Sequence, residues 1–171
     1  MGLDPGTKGA VAILDTGSAP RISVWPFPTV TLRIGNKNRT RIDLDACWSL
    51  MFGLAATFEP SMCFIEDVNG FSGNAKSTGS ASFTFGSTVG AVEAFLVAST
   101  VPRQKVPPSV WTKALKVSGK TKKERKDASR VAASQLFPEH ADLFRRVKDD
   151  GVAEAALIAW YGATKVMGYK P

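Results

Sequence analysis

Histidine occurs once in this chain of 171 residues and cysteine twice. Cys47 and Cys63 each stand inside an apolar stretch, with no CxxC pair and no cysteine–histidine cluster. A zinc site is thereby excluded, and both residues read as buried free thiols. The single histidine, His140, falls in a polar Pro-Glu-His loop and reads as a surface residue, so histidine-centred acid–base catalysis has little to stand on. No uninterrupted apolar run approaches the ~20 residues that cross a bilayer, and no signal or transit pattern precedes the first strand. No membrane association is expected. Negative charge is the scarcer sign: 15 Asp and Glu stand against 22 Lys and Arg, a net charge of +7. An excess of that size favours a polyanionic partner.

What is present suits one domain with a hydrophobic core, spanning residues 1–171 without repeat or linker. Strand, turn and strand run through residues 2–15, and a third strand through 21–27 is ended by Pro26 and Pro28. Three residues precede Asp4, few for a core strand, which points to a trimmed start. Residues 29–41 are polar and basic (Arg33, Lys37, Arg39, Arg41) and read as an exposed hairpin or loop. Asp43 reads as the N-cap of an amphipathic helix carrying Cys47, Leu50, Met51, Leu54 and Phe58. Further strands are expected at 61–67 and 103–107. Helices are expected at about 80–99, from Pro108, at about 123–136 and from about 149 to 167. Strands first, then strand and helix in alternation, predict an α/β fold: a mixed sheet of about five strands with helices on both faces.

Carboxylates punctuate this pattern at four places. Asp4 precedes the glycine turn Pro5-Gly6, Glu66 ends the apolar run Met62-Cys63-Phe64-Ile65, and Asp150 and Glu154 open an alanine-rich helix. Asp150 and Glu154, four apart, share a helical face. Each alone has a bland reading: a strand-end charge, a solvated glutamate, or an acid favoured at a helix N-terminus. Together they are harder to dismiss, because Glu66 and Glu154 interrupt apolar patterns and a buried charge needs a partner. A divalent cation is the natural one. Hard oxygen donors suit magnesium, and two such ions roughly 3.5–4 Å apart can activate water and steady the leaving oxygen of a phosphodiester.

Asp4-Pro5-Gly6, Phe64-Ile65-Glu66 and Lys148-Asp149-Asp150-Gly151-Val152-Ala153-Glu154-Ala155, taken in order, resemble the RuvC-type Holliday junction resolvases. Lys76-Ser77-Thr78-Gly79, Lys126-Asp127-Ala128-Ser129-Arg130 and Leu136-Phe137-Pro138 resemble the branch that holds phage enzymes and the plastid resolvase named monokaryotic chloroplast. The resemblance covers nearly the whole chain. It implies a ribonuclease H-like fold, a homodimer acting on branched DNA, and Mg2+-dependent paired nicking of a four-way junction. Two ions per site, replaceable by Mn2+, are implied, with no nucleotide cofactor. Asp4, Glu66 and Glu154 carry over as metal ligands. Asp150 fits the Asp-x-x-x-Glu spacing of that branch, with Asp149 as the fallback. The implied setting is the cytoplasm of a bacterium or phage host, or the plastid stroma if a leader has been removed.

Basic residues cluster before and along one helix: Lys113, Lys120, Lys122, Lys123, Arg125, Lys126 and Arg130. They are candidates for phosphate contacts or for a solvated helix face. Lys126 and Lys113 resemble the family's lysines near the scissile phosphate, which implies a catalytic role for Lys126. Lys76 is a candidate DNA contact, and Phe83 and Phe85 either stack on unpaired bases or pack in the core. Asp4-Pro5-Gly6-Thr7 also resembles the first phosphate loop of actin-like and sugar-kinase ATPases, but no second Asp-x-Gly loop follows and the chain is too short for two such domains. A non-catalytic junction-binding module and a less selective ribonuclease H-like nuclease remain as alternatives.

Overall fold

The computed structural model describes residues 1–68 and 79–171. Lys76, Phe71 and the segment 76–78 therefore lie outside the described residues. In chain order come β1 (Gly2–Asp4), β2 (Ala10–Asp15), β3 (Arg21–Pro26), β4 (Thr29–Ile34) and β5 (Lys37–Ile42). α1 (Leu44–Phe58), β6 (Cys63–Glu66), α2 (Gly79–Ala98) and β7 (Arg103–Val106) follow. α3 (Pro108–Ala114), α4 (Lys122–Leu136) and α5 (Asp150–Tyr161) complete the regular elements.

Five strands form one mixed sheet in the order β3-β2-β1-β6-β7. The first three are joined by tight turns and pair antiparallel, while β1, β6 and β7 run parallel. Alternation along β2 explains the layers. Ala10 and Ala12 face one core, with Phe64, Trp111 and the inner face of α5. Val11 and Ile13 face the other, with Cys47, Met51 and Leu54 of α1 and Val92 and Leu96 of α2. Helices thus cover both faces, and the short first strand is held on both sides. Both cysteines are buried and free.

Local chemistry sets the element ends. The Asp43 carboxylate accepts the Ala46 N–H at 3.1 Å and caps α1. Thr121 caps α4 through the Glu124 N–H, and the Glu124 side chain returns to the Lys120 N–H. β4 and β5 form a separate two-stranded hairpin whose turn places Gly35 at φ +59°. Glycine takes that backbone without strain.

Three expectations need correction. His140 is not on open surface: it sits half-buried in a 3-10 segment, Pro138–Phe144, and its Nε2 has no hydrogen-bond partner among the described residues. The last helix is α-helical only to Tyr161 and continues as a π turn, Gly162–Val166. No apolar run is expected to approach a membrane span, but α2 is long and apolar enough, by length and composition only, to cross a membrane. Its apolar character is interrupted by Glu93 and by hydroxyls such as Thr84 and Thr88, which bond back to the preceding turn. One side packs through Thr88, Val92 and Leu96, while Phe83 and Val97 stay exposed on the other.

Candidate metal centre

The parallel pairing of β1 with β6 sets Leu3 opposite Ile65, which brings Asp4 and Glu66 side by side where the two strands end. Carboxyl ends of parallel strands are the usual mouth of a site in open α/β sheets. α5 crosses these strands with its first turn over the same edge, and adds Asp150 and Glu154. The approach is close because residue 151 is glycine: a Cβ there would lie 2.2 Å from the Lys8 carbonyl oxygen and 2.9 Å from the Asp4 carboxylate.

Asp4, Glu66, Asp150 and Glu154 line one cavity of about 670 Å³. Lys8, Lys122, Arg125 and Lys126 stand on its wall, and Phe85 and Val68 border it. Asp4 is half-buried in the cavity wall and accepts the Gly6 N–H at 3.2 Å. Burial and the neighbouring Glu66 push its pKa up to about 7, against the opposing pull of the Gly6 N–H and Lys126. Glu154 is pushed up to about 8 by burial, Asp4 and Glu66, with Lys126 and the Ser129 hydroxyl acting the other way. Glu66 is raised by burial and partly relieved by the Trp111 indole N–H, which donates to its Oε1 at 3.1 Å. Asp150, buried at the helix start, is paired with Lys126.

Asp4 and Glu154 stay raised in spite of Lys126, and four carboxylates are the hard donors that a magnesium or manganese ion takes. The donor set therefore fits such an ion in kind. As the side chains stand, no three of them converge into a ready coordination group among the described residues. Asp150 is turned toward Lys126 instead.

Other candidates fall in different places. Asp149 does not reach this cavity. Its carboxylate is tied to Arg146 through the backbone N–H and the guanidinium, at 2.9–3.1 Å. Burial alone would raise its pKa, but the Arg146 contacts hold it below the usual range. Arg130 is spent internally, on Asp127 at 2.5 Å and on the Arg145 carbonyl. Lys113, Lys120 and Lys123 are exposed but do not line the cavity. Neither phenylalanine is in the core: Phe85 borders the cavity and Phe83 is 78% exposed. Trp111, Ser129 and Lys8 were not singled out for the site from sequence. An indole N–H gives no sequence signal, and Lys8 is visible only as part of the glycine turn.

No protein-family model matches the chain, and no curated protein matches it in sequence. Solved structures do. The chain is similar to Thermus thermophilus RuvC in complex with a Holliday junction substrate, with a TM-score of 0.59 and 14% identity over 98% of this chain and 94% of that one. A second structure of T. thermophilus RuvC gives a TM-score of 0.55 and 16% identity over 98% and 95%. At such identities the likeness is one of architecture: the chain has a RuvC-like, ribonuclease H-like fold, a five-stranded mixed sheet with helices on both faces.

Proposed function

We propose that this protein is a structure-selective endonuclease that resolves four-way DNA junctions by paired nicks. The observation that carries the reading is the meeting of Asp4, Glu66, Asp150 and Glu154 in one cavity rimmed by basic residues. The RuvC-like fold supports it, because one solved relative in that fold is complexed with a Holliday junction substrate. The motifs in 76–79, 126–130 and 136–138 favour the phage and plastid branch.

The four carboxylates would hold magnesium, two ions per site, or manganese in its place. Bound there, the ions would supply the charge that makes a water nucleophilic and stabilises the departing 3′ oxygen. The chain's own groups do the rest. Trp111 fixes the orientation of Glu66 through its N–H. Lys126 releases Asp150 and turns its ammonium toward the negative charge that develops on the phosphate. Lys122 and Arg125 neutralise the phosphates on either side, while Lys113, Lys120 and Lys123 serve the more distant backbone, and Lys76 is a further candidate DNA contact from its sequence. Phe85 and Phe83 offer flat faces to unpaired bases. Cleavage would leave 5′-phosphate and 3′-hydroxyl ends.

Two nicks related by symmetry require two copies. The outer side of α2 carries Gly86, Gly90, Ala94 and Val97, with open space where Gly86 and Gly90 would bear a Cβ. Beside it α1 exposes Leu44, Trp48 and Phe52, one helical turn apart, with Trp48 packed on Phe95. An apolar surface of this kind suits a two-fold interface between copies.

One observation favours a second reading. Lys126 already neutralises Asp150, which a non-catalytic junction-binding module would also allow. The test is a labelled four-way junction and a matching duplex, each with magnesium or with a chelator. Magnesium-dependent cutting of the junction alone, abolished by Glu66→Gln with binding intact, is the expected result. Tight binding without cutting favours the module, and equal cutting of both substrates favours an unspecialised nuclease.

A further inference from the structure

The β4–β5 hairpin takes no part in the carboxylate cavity, and nearly all of it is exposed. Its register sorts the side chains into two faces. Val30 lies opposite Arg41, Leu32 opposite Arg39 and Ile34 opposite Lys37, all on one face, because directly paired residues share a side of the ribbon. Thr31 with Thr40 and Arg33 with Asn38 occupy the other. One face therefore bears a row of three cations beside a row of three apolar side chains. The hairpin holds no acidic residue. None of its basic side chains has an ion-pair partner among the described residues.

The root of the hairpin borders a second groove, of about 410 Å³, through Thr29 and Thr40, and Lys8, Lys148 and the Arg146–Asp149 ion pair also line it. Lys8 and Gly9 line both this groove and the carboxylate cavity, so the two adjoin at the β1–β2 turn. Lys8 and Lys148 stand along this groove, and the cation row of the ribbon lies beyond its rim, on the face that Thr29 and Thr40 do not share.

We infer that the cationic face of this hairpin forms a clamp for a duplex DNA arm beyond the point of cleavage. The inference rests on the reading of the protein as a DNA junction nuclease, and deepens it by naming how a flanking arm is held. Alternate residues on a strand are roughly 7 Å apart, on the order of the separation between successive phosphates of one DNA strand, so Lys37, Arg39 and Arg41 can each meet a phosphate. A two-stranded ribbon is also narrow enough to enter a major groove. Val30, Leu32 and Ile34 then meet the apolar edges of sugars and bases, which explains why they are exposed beside cations.

The test is binding, without divalent ions, of a fluorescent four-way junction and of a duplex arm across a salt series. The triple variant Lys37→Ser, Arg39→Ser, Arg41→Ser should lower the slope of log K against log salt by about 2–3, near 0.9 for each phosphate no longer neutralised. Leu32→Ser should weaken binding with the slope unchanged. Arg33→Ser, on the opposite face, should move the slope by less than Arg39→Ser does. A triple variant with the wild-type slope and affinity overturns the clamp, as does a wild-type protein whose binding ignores salt. Glu66→Gln, measured for cutting in parallel, separates the two readings: cutting that survives it refutes the nuclease site, whereas the slope alone decides the clamp.

Discussion

Replacing Glu154 by glutamine should make the metal-free protein more stable at alkaline pH, although it removes a proposed metal ligand. Glu154 stands in the folded protein with its pKa pushed from 4.5 to about 8, by burial and then by Asp4 and Glu66. An acid raised in this way favours the fold when protonated. That contribution is complete below pH 4.5 and is lost as pH rises through about 8, since the folded state holds a proton that the unfolded chain has released. Each pH step in that interval is equivalent to about 1.4 kcal/mol, so full ionisation at pH 9 costs at most about 5 kcal/mol. Glutamine has the shape of the protonated acid and never ionises. At pH 4 variant and wild type should unfold alike. At pH 9 in chelator the variant should melt higher, by on the order of 5–15 °C at roughly 2–4 °C per kcal/mol for a chain of this size. Thermal unfolding followed by circular dichroism at both values reads the difference. Magnesium should then raise the wild type at pH 9 by mass action and leave the variant much less affected. A variant that melts at or below the wild type at pH 9 in chelator would refute the picture of mutually crowded acids.

Other substitutions test neighbouring parts of the site. Trp111→Phe removes the N–H that orients Glu66 and keeps an aromatic ring; single-turnover cutting should slow on the order of tenfold, equivalent to about 1.4 kcal/mol, with junction affinity unchanged. Gly151→Ala pushes a methyl against the Lys8 carbonyl and the Asp4 carboxylate, so urea unfolding should show a loss of about 1–3 kcal/mol, and cutting should fall with it. Gly90→Glu places charge on the outer stripe of α2; sedimentation should report a dimer for the wild type and a monomer for the variant, with circular dichroism unchanged.

Much of the architecture was legible because it follows from period and punctuation. The apolar runs ending in Glu66 and following Asp4 mark central strands, Asp43 marks a helix start, and Pro138 marks a helix end. The acidic quartet was legible for a related reason: Glu154 inside an alanine-rich helix breaks a pattern that packing would otherwise keep apolar. Side-chain partners were not legible. Whether Asp149 or Asp150 turns inward depends on a rotation of about 100° per residue around the helix and on where Arg146 reaches, which spacing alone does not reveal. Arg130 looked like a DNA contact by charge, yet folding brings Asp127 and the Arg145 carbonyl to it. The two faces of the hairpin were hidden until its register was known, since a shift by one residue would exchange them.

Asp4 and Glu66 are spaced by neighbouring parallel strands, whose separation of roughly 4.8 Å is fixed by backbone hydrogen bonding. Loop lengths have no say in it. The β4–β5 ribbon is an excursion between β3 and α1, so it can be shortened, recoloured with charge or exchanged for another reader while that acidic pair keeps its gauge. The molecule thus divides into a sheet edge of fixed spacing and a ribbon that can be exchanged, and an engineer seeking a new binding preference should work on the second.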